Sequence, residues 1–285
     1  MKIIDAHLHF SPIASFIDFA RDFSNVDYSL AGFEKEAKGN NVVHAICMGL
    51  AENSSNAFPD KNAETPMLAN LAEELPSCLS LCLGVNPHTL NEQSLKKTED
   101  LIKNRRNIAG LKIYAGYYHF DVCDPVYTPV FHLAEKYDLA VAIHSGDTFS
   151  DRGLLVFSHP LSVDKLAVTY RDLRIIICHL GSPWIFDACE VAFKNRNVFL
   201  DLSGILAGNS AYLEYMTSKQ LFVDRLKSAL IFLDNYEKVL FGTDWPLAPM
   251  DAYIEFCKLL LPPETHEKVF FQNAVDVYKL KSTIN

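Results

Sequence analysis

Eight short apolar runs recur along the 285-residue chain, each closing in turn-forming residues and alternating with longer stretches of helical periodicity. In order they are KIIDAHLHF (2–10), VVHAICMGL (42–50), LSLCLGVNP (79–87), IAGLKIYAG (108–116), LAVAIHSGD (139–147), RIIICHLGS (174–182), VFLDLSG (198–204) and KVLFGTDWP (238–246). Residues 64–75, 94–106, 126–137, 161–171, 184–195, 220–233 and 251–261 read as the helices between them. Strands alternating with helices imply a parallel sheet, and runs as continuously apolar as IIIC and VAI suit strands covered on both faces. Eight such units in a chain of this length match a (β/α)8 TIM barrel, an α/β fold, built as one domain over residues 1–285. The rival is an open doubly wound sheet, which often carries a glycine-rich phosphate loop after its first strand. Here SPIASFIDF follows instead, and the barrel is preferred.

In a barrel the active site lies at the C-terminal ends of the strands, so a polar residue there carries the most information. His7 and His9 end the first run, Lys112 lies in the fourth, His144 ends the fifth, His179 the sixth and Asp244 the eighth. A His-x-His pair alone is weak evidence, because ten histidines in 285 residues give roughly 0.3 such pairs by chance. The joint placement of six residues at one mouth is what chance does not supply. Imidazole and carboxylate suit Zn²⁺ or a related divalent ion such as Mn²⁺. The metal ligands expected are His7, His9, His144 and Asp244. Asp5 shares their alternation one step deeper and is expected to support them.

Composition excludes several classes. The formal net charge of −9 and the absence of a Lys/Arg run argue against a nucleic-acid partner, and with it against a nuclease. No apolar stretch reaches the roughly 18 to 20 residues of a membrane span, and the N-terminus enters a strand without a leader-like segment, so a cytoplasmic protein is expected. The seven cysteines are scattered without a C-x-x-C and are expected as buried, reduced thiols. Oligomeric state is open, a homodimer included.

The segments IDAHLHF, GLKIYAG, VAIHSGD with SHPLSVDKLA, IIICHLGSPW, VFLDLSG, VLFGTDWP and FFQNAVDVY together resemble the amidohydrolase superfamily. The resemblance is to the amidohydrolase-related branch that includes aminocarboxymuconate-semialdehyde decarboxylase, resorcylate decarboxylase-type enzymes and lactone hydrolases. It implies the distorted barrel of that superfamily and one metal held by His7, His9, His144 and Asp244. His179 is implied to act on the substrate or on metal-bound water. Lys112 stands where binuclear members carry a carboxylated, bridging lysine; a binuclear site with Lys112 and His179 is the less favoured arrangement.

The leading expectation is a hydrolase that uses metal-activated water on an amide or lactone of a small carboxylate-bearing metabolite, with Asp244 and His179 moving protons. The alternatives are a metal-dependent decarboxylase or hydratase of an unsaturated or aromatic carboxylate, and an inactive metabolite-binding barrel. Lys112 and Arg152 are candidate partners for the substrate carboxylate. Trp184 and Trp245, which flank the sixth- and eighth-strand motifs, are candidate pocket walls, and the apolar loop of residues 11–30 is a candidate lid.

Overall fold

A computed structural model of the chain describes residues 1–10, 13–49 and 76–280. The eight runs form strands β1 Ile3–Leu8, β2 Val42–Met48, β3 Leu79–Val85, β4 Ile108–Ile113, β5 Ala140–Ile143, β6 Ile175–Ile177, β7 Val198–Asp201 and β8 Val239–Leu240. All seven neighbouring pairs are parallel, in the order β1 to β8. The ring closes beyond β8, where Ala6 N donates to Phe241 O at 2.9 Å, Asp244 N to His7 O at 2.8 Å and His9 N to Trp245 O at 2.7 Å. This is the (β/α)8 barrel the alternation predicts.

Six of the seven helices read from periodicity are present within a few residues, from Glu92–Asn104 to Met250–Leu260. The expected helix over 64–75 lies outside the described residues. No helix among the described residues is long and apolar enough to cross a membrane.

The barrel interior is narrow and filled, and the side chains that fill it explain which end is open. Ile4, Ala6, Ile46, Ala140 and Ile176 meet Ala274, Val275, Tyr278 and Leu280 from the end of the chain in one buried cluster. The C-terminal helix Asn273–Val277 and the residues after it thus plug the base, leaving the mouth as the accessible end. His44 sits early in β2, hydrogen-bonded through Nε2 to Ser80 Oγ of β3 at 2.9 Å, as a satisfied core histidine.

The first loop does not run as coil. Ala14–Phe19 is helical and continues into a wider turn over Ala20–Ser24, which Ser24 Oγ ties to Pro246 O at 2.6 Å. Phe16 and Phe19 of this helix face the mouth.

Candidate functional site

Two residues fix the seam between the first and last strands. Asp5 accepts hydrogen bonds from His7 N at 3.1 Å, Thr243 N at 3.0 Å and Thr243 Oγ1 at 2.5 Å, so its carboxylate clamps the turn that carries Asp244 to the end of β1. Burial pushes the Asp5 carboxyl up to about 7 against the pull of those donors. Asp244 then sits at φ +62°, a conformation that side-chain-bearing residues seldom adopt. His179 and Leu180, past β6, share it at φ +60° and +50°. Such backbone persists where surrounding contacts over-determine it, and here it turns two charge-bearing side chains into one space.

That space is electron-rich. His7 Nδ1 lies 2.9 Å from Asp201 Oδ2, and His9 Nδ1 lies 3.3 Å from Met48 O. Carboxylate and carbonyl oxygens only accept, so both Nδ1 atoms carry the hydrogen and both Nε2 atoms present lone pairs. Those Nε2 atoms point to the same oxygen: Asp244 Oδ1 is 3.4 Å from His7 Nε2 and 3.1 Å from His9 Nε2. His7 Nε2 and Asp244 Oδ1 are buried and have no hydrogen-bond partner among the described residues. Two lone pairs facing an anionic oxygen repel unless a cation lies among them, and this trio is a group whose donor atoms can hold a metal ion. Burial lowers the pKa of His7 and His9, keeping them neutral and ready as ligands.

His144, expected as the fourth ligand, stands at the same mouth but outside the trio. Its Nδ1 is 3.1 Å from His179 Nε2 and its Nε2 is 2.9 Å from Asp147 O. At the other end of the pair, His179 Nδ1 meets Ser203 O at 3.1 Å and Ser203 Oγ at 3.0 Å. Of these four contacts, the two to carbonyls and the one between the rings call for three hydrogens where two neutral rings supply two. Burial draws His179 down to about 4 and His144 well below its ordinary value, so the third is not supplied by protonation near neutral pH. The pair is therefore one positive charge short, a shortage that a cation ligated by His144 would remove.

Lys112 is fully buried, as its place in β4 implies. Its Nζ donates to Cys178 Sγ at 3.0 Å and stands 5.3 Å from the centre of the Tyr114 ring. No carboxylate forms an ion pair with it among the described residues. Cys178 Sγ also lies with His7 and His179 in a second group of potential ligand atoms. Burial raises that thiol well above its usual range, so it serves here as the acceptor for Lys112.

These residues line a cavity of about 500 Å³ at the mouth. His9, His144, His179, Asp244 and Lys112 form its polar floor; Phe16, Phe19, Tyr114, Tyr117, Phe149 and Leu247 form apolar walls. Phe16 packs on the His9 ring at 4.6 Å, and Phe19 meets Phe149 edge-on at 5.4 Å across the opening. Arg152 lines the exposed rim beside Asp151, away from the buried floor. Trp184 is not in the lining: its ring packs on His159 at 4.7 Å, at the start of helix Ile185–Lys194. Trp245 is also displaced, buried against Phe33 and Tyr28 with Nε1 donating to Glu36 Oε1, because the turn at Asp244 sends alternate residues behind the barrel wall.

Three residues that sequence reasoning left unassigned complete the site. Asp201 ends β7 and, besides orienting His7, accepts from His179 N at 2.9 Å and from Ser203 N at 3.1 Å. Gly204 has φ +60°, and a Cβ there would lie 2.6 Å from both Asp244 Oδ2 and His179 Nδ1. Tyr114 is 3% exposed and its hydroxyl has no hydrogen-bond partner among the described residues. A buried hydroxyl left unmet costs about 1–3 kcal/mol. The signal for the first two was the polar D-L-S-G closing an apolar run; Tyr114 had none.

A family model described as Amidohydrolase matches residues 82–280. The chain belongs to that family. No curated protein sequence matches it. Among solved structures it is similar to an uncharacterized TIM-barrel protein from Bordetella bronchiseptica, with 18% identity, TM-score 0.71, and 100% of this chain and 99% of that one covered. It is similar in fold to 2,6-dihydroxybenzoate decarboxylase from Rhizobium, with 13% identity, TM-score 0.68, and coverage of 98% and 99%. A third is 5-carboxyvanillate decarboxylase from Novosphingobium aromaticivorans, complexed with manganese and 4-hydroxy-3-methoxy-5-nitrobenzoic acid, with 13% identity, TM-score 0.64, and coverage of 98% and 96%.

Proposed function

We propose that this chain is a metal-dependent lyase that removes carbon dioxide from a small carboxylic acid on a flat, aromatic or unsaturated skeleton. The observation that carries the metal is the convergence of bare His7 Nε2 and His9 Nε2 on Asp244 Oδ1. His7, His9 and Asp244 would hold a divalent ion, with His144 the fourth ligand. Neutral imidazoles and a carboxylate suit Mn²⁺ as well as Zn²⁺. When bound, the ion supplies a Lewis acid that draws negative charge from a substrate oxygen.

The substrate class follows from the rest of the cavity. Lys112 is buried and has no carboxylate partner among the described residues, an arrangement that is costly unless a ligand completes it. A substrate carboxylate is that completion, and Arg152 at the rim is placed to draw an anion inward. The aromatic walls suit a flat skeleton, and the cavity volume suits a single ring with its substituents.

Decarboxylation is preferred to hydrolysis because aromatic side chains, among them Phe16, Phe19, Tyr117 and Phe149, line the space above the floor, and loss of carbon dioxide needs no water. The bond between the skeleton and the carboxyl carbon breaks, its electron pair stays on the skeleton, and a proton takes the vacated position. His179 and Asp244, 3.8 Å apart at Nδ1 and Oδ2, are the groups that hold and move that proton. Two of the similar solved structures are decarboxylases, which supports the same choice.

The test is to load the protein with Mn²⁺ or Zn²⁺ and screen hydroxybenzoates, unsaturated acids, lactones and amides. Carbon dioxide release from an acid is the expected result. Acid release from a lactone or amide, with no carbon dioxide from any acid, would establish the hydrolase instead.

A further inference from the structure

Lys112 and Tyr114 are two residues apart at the end of β4, and both line the cavity. The Lys112 Nζ lies 5.3 Å from the Tyr114 ring centre, so a carboxylate meeting that cation comes to rest alongside the ring. The tyrosine hydroxyl is buried and has no hydrogen-bond partner among the described residues, and its ring packs in a cluster with Ile13, Phe16, Tyr118 and Leu247. A fold selected only for stability has no use for that oxygen, since phenylalanine would fill the same volume without an unmet polar atom. Tyr114 lines the cavity into which the acid would come.

We propose that the Tyr114 hydroxyl is reserved for the bound acid: it donates a hydrogen bond to an anionic or carbonyl-like oxygen of the substrate and so determines specificity. That oxygen belongs either to the carboxylate itself or to a neighbouring hydroxyl or phenolate on the ring. Burial raises the phenol well above its usual range, so it remains a donor at any working pH. The inference rests on the substrate class proposed above and adds to it a second point of recognition beside Lys112. Tyr114 is in this role a specificity residue and takes no part in moving the proton.

The experiment compares wild type and Tyr114→Phe as full-length, Mn²⁺-loaded proteins, with benzoate and 2-hydroxybenzoate as probes in titration calorimetry. The ligand-free variant is expected to melt at the same temperature as wild type or higher, because an unsatisfied group has been removed. Its affinity for 2-hydroxybenzoate is expected to fall about five- to tenfold. An equal fall with benzoate assigns the accepted oxygen to the carboxylate; a fall confined to 2-hydroxybenzoate assigns it to the ring. Unchanged affinity for both probes overturns the role of Tyr114 while leaving the substrate class standing. A variant that melts lower or does not fold also overturns it, since the hydroxyl then has a partner within the fold. If wild type binds neither probe, the substrate class fails and the subsite with it.

Discussion

Asp201 Oδ2 and His7 Nδ1 share a buried contact of 2.9 Å, and that contact decides which nitrogen of His7 is left bare. With the hydrogen held on Nδ1, Nε2 can face Asp244 only as a lone pair. The same carboxylate grips the backbone of His179, so one residue at the end of β7 sets two histidines at once. Asp201→Asn is therefore expected to weaken metal affinity about 10- to 100-fold, even though no bond from Asp201 to the ion is proposed. Metal retained after dialysis against graded chelator measures it, and retention equal to wild type would deny Asp201 this role.

His7→Ala and His179→Asn separate ligation from chemistry. The first is expected to lose the ion and the second to keep it while losing most activity, at least 100-fold in kcat. Metal analysis of both purified variants decides. Equal metal loss in the two would point to the binuclear arrangement, with His179 as a ligand.

Lys112→Met removes the buried cation while nearly keeping its volume. The expected effect is a roughly 10- to 100-fold drop in kcat/KM for a carboxylate substrate, with little loss of thermal stability. A variant with unaltered kcat/KM would show that the carboxylate is bound elsewhere.

Phe19, at the end of the helix after β1, meets Phe149, from the segment after β5, at the mouth, and Phe149 is 62% exposed. Phe149→Ala should raise KM a few-fold and leave the melting temperature within about a degree or two, because little buried area is lost. Steady-state kinetics beside a thermal melt check both halves.

Acid stability has a definite sign. Burial draws His44 from 6.5 to about 4, so between those values the unfolded chain binds a proton that the folded one refuses. Stability therefore rises with pH across that window and is lost as pH falls from 6.5 toward 4, by at most about 3 kcal/mol from this residue. Urea unfolding of wild type and His44→Asn at pH 7 and 4.5 should show a smaller acid loss in the variant. Parallel losses would assign the effect to other groups.

The strands were legible because a parallel barrel demands the apolar, turn-punctuated runs that lie plainly in the chain, and the mouth was legible because His7, His9, His144, His179 and Asp244 all follow such runs. What sequence hid was direction. Trp184 and Trp245 sit next to mouth residues, yet the unusual backbone at Asp244, His179 and Leu180 sends them away from the cavity. Asp201 was hidden by its company, since an acid in V-F-L-D-L-S-G reads as a strand end until its long-range partner His7 is seen. Tyr114 was hidden for the opposite reason: its distinguishing property is a contact it does not make. The first loop gave no helical periodicity that its aromatic content did not obscure, and its helix is fixed by packing over the mouth.

Gly204 leaves no room for even a methyl group between Asp244 and His179. The ground between those two groups is thus closed to variation, while Phe19 and Phe149 meet above it from two separate segments. A library aimed at new substrates should leave Gly204 untouched and be spent on Phe19 and Phe149, which pack on each other rather than on the groups of the floor.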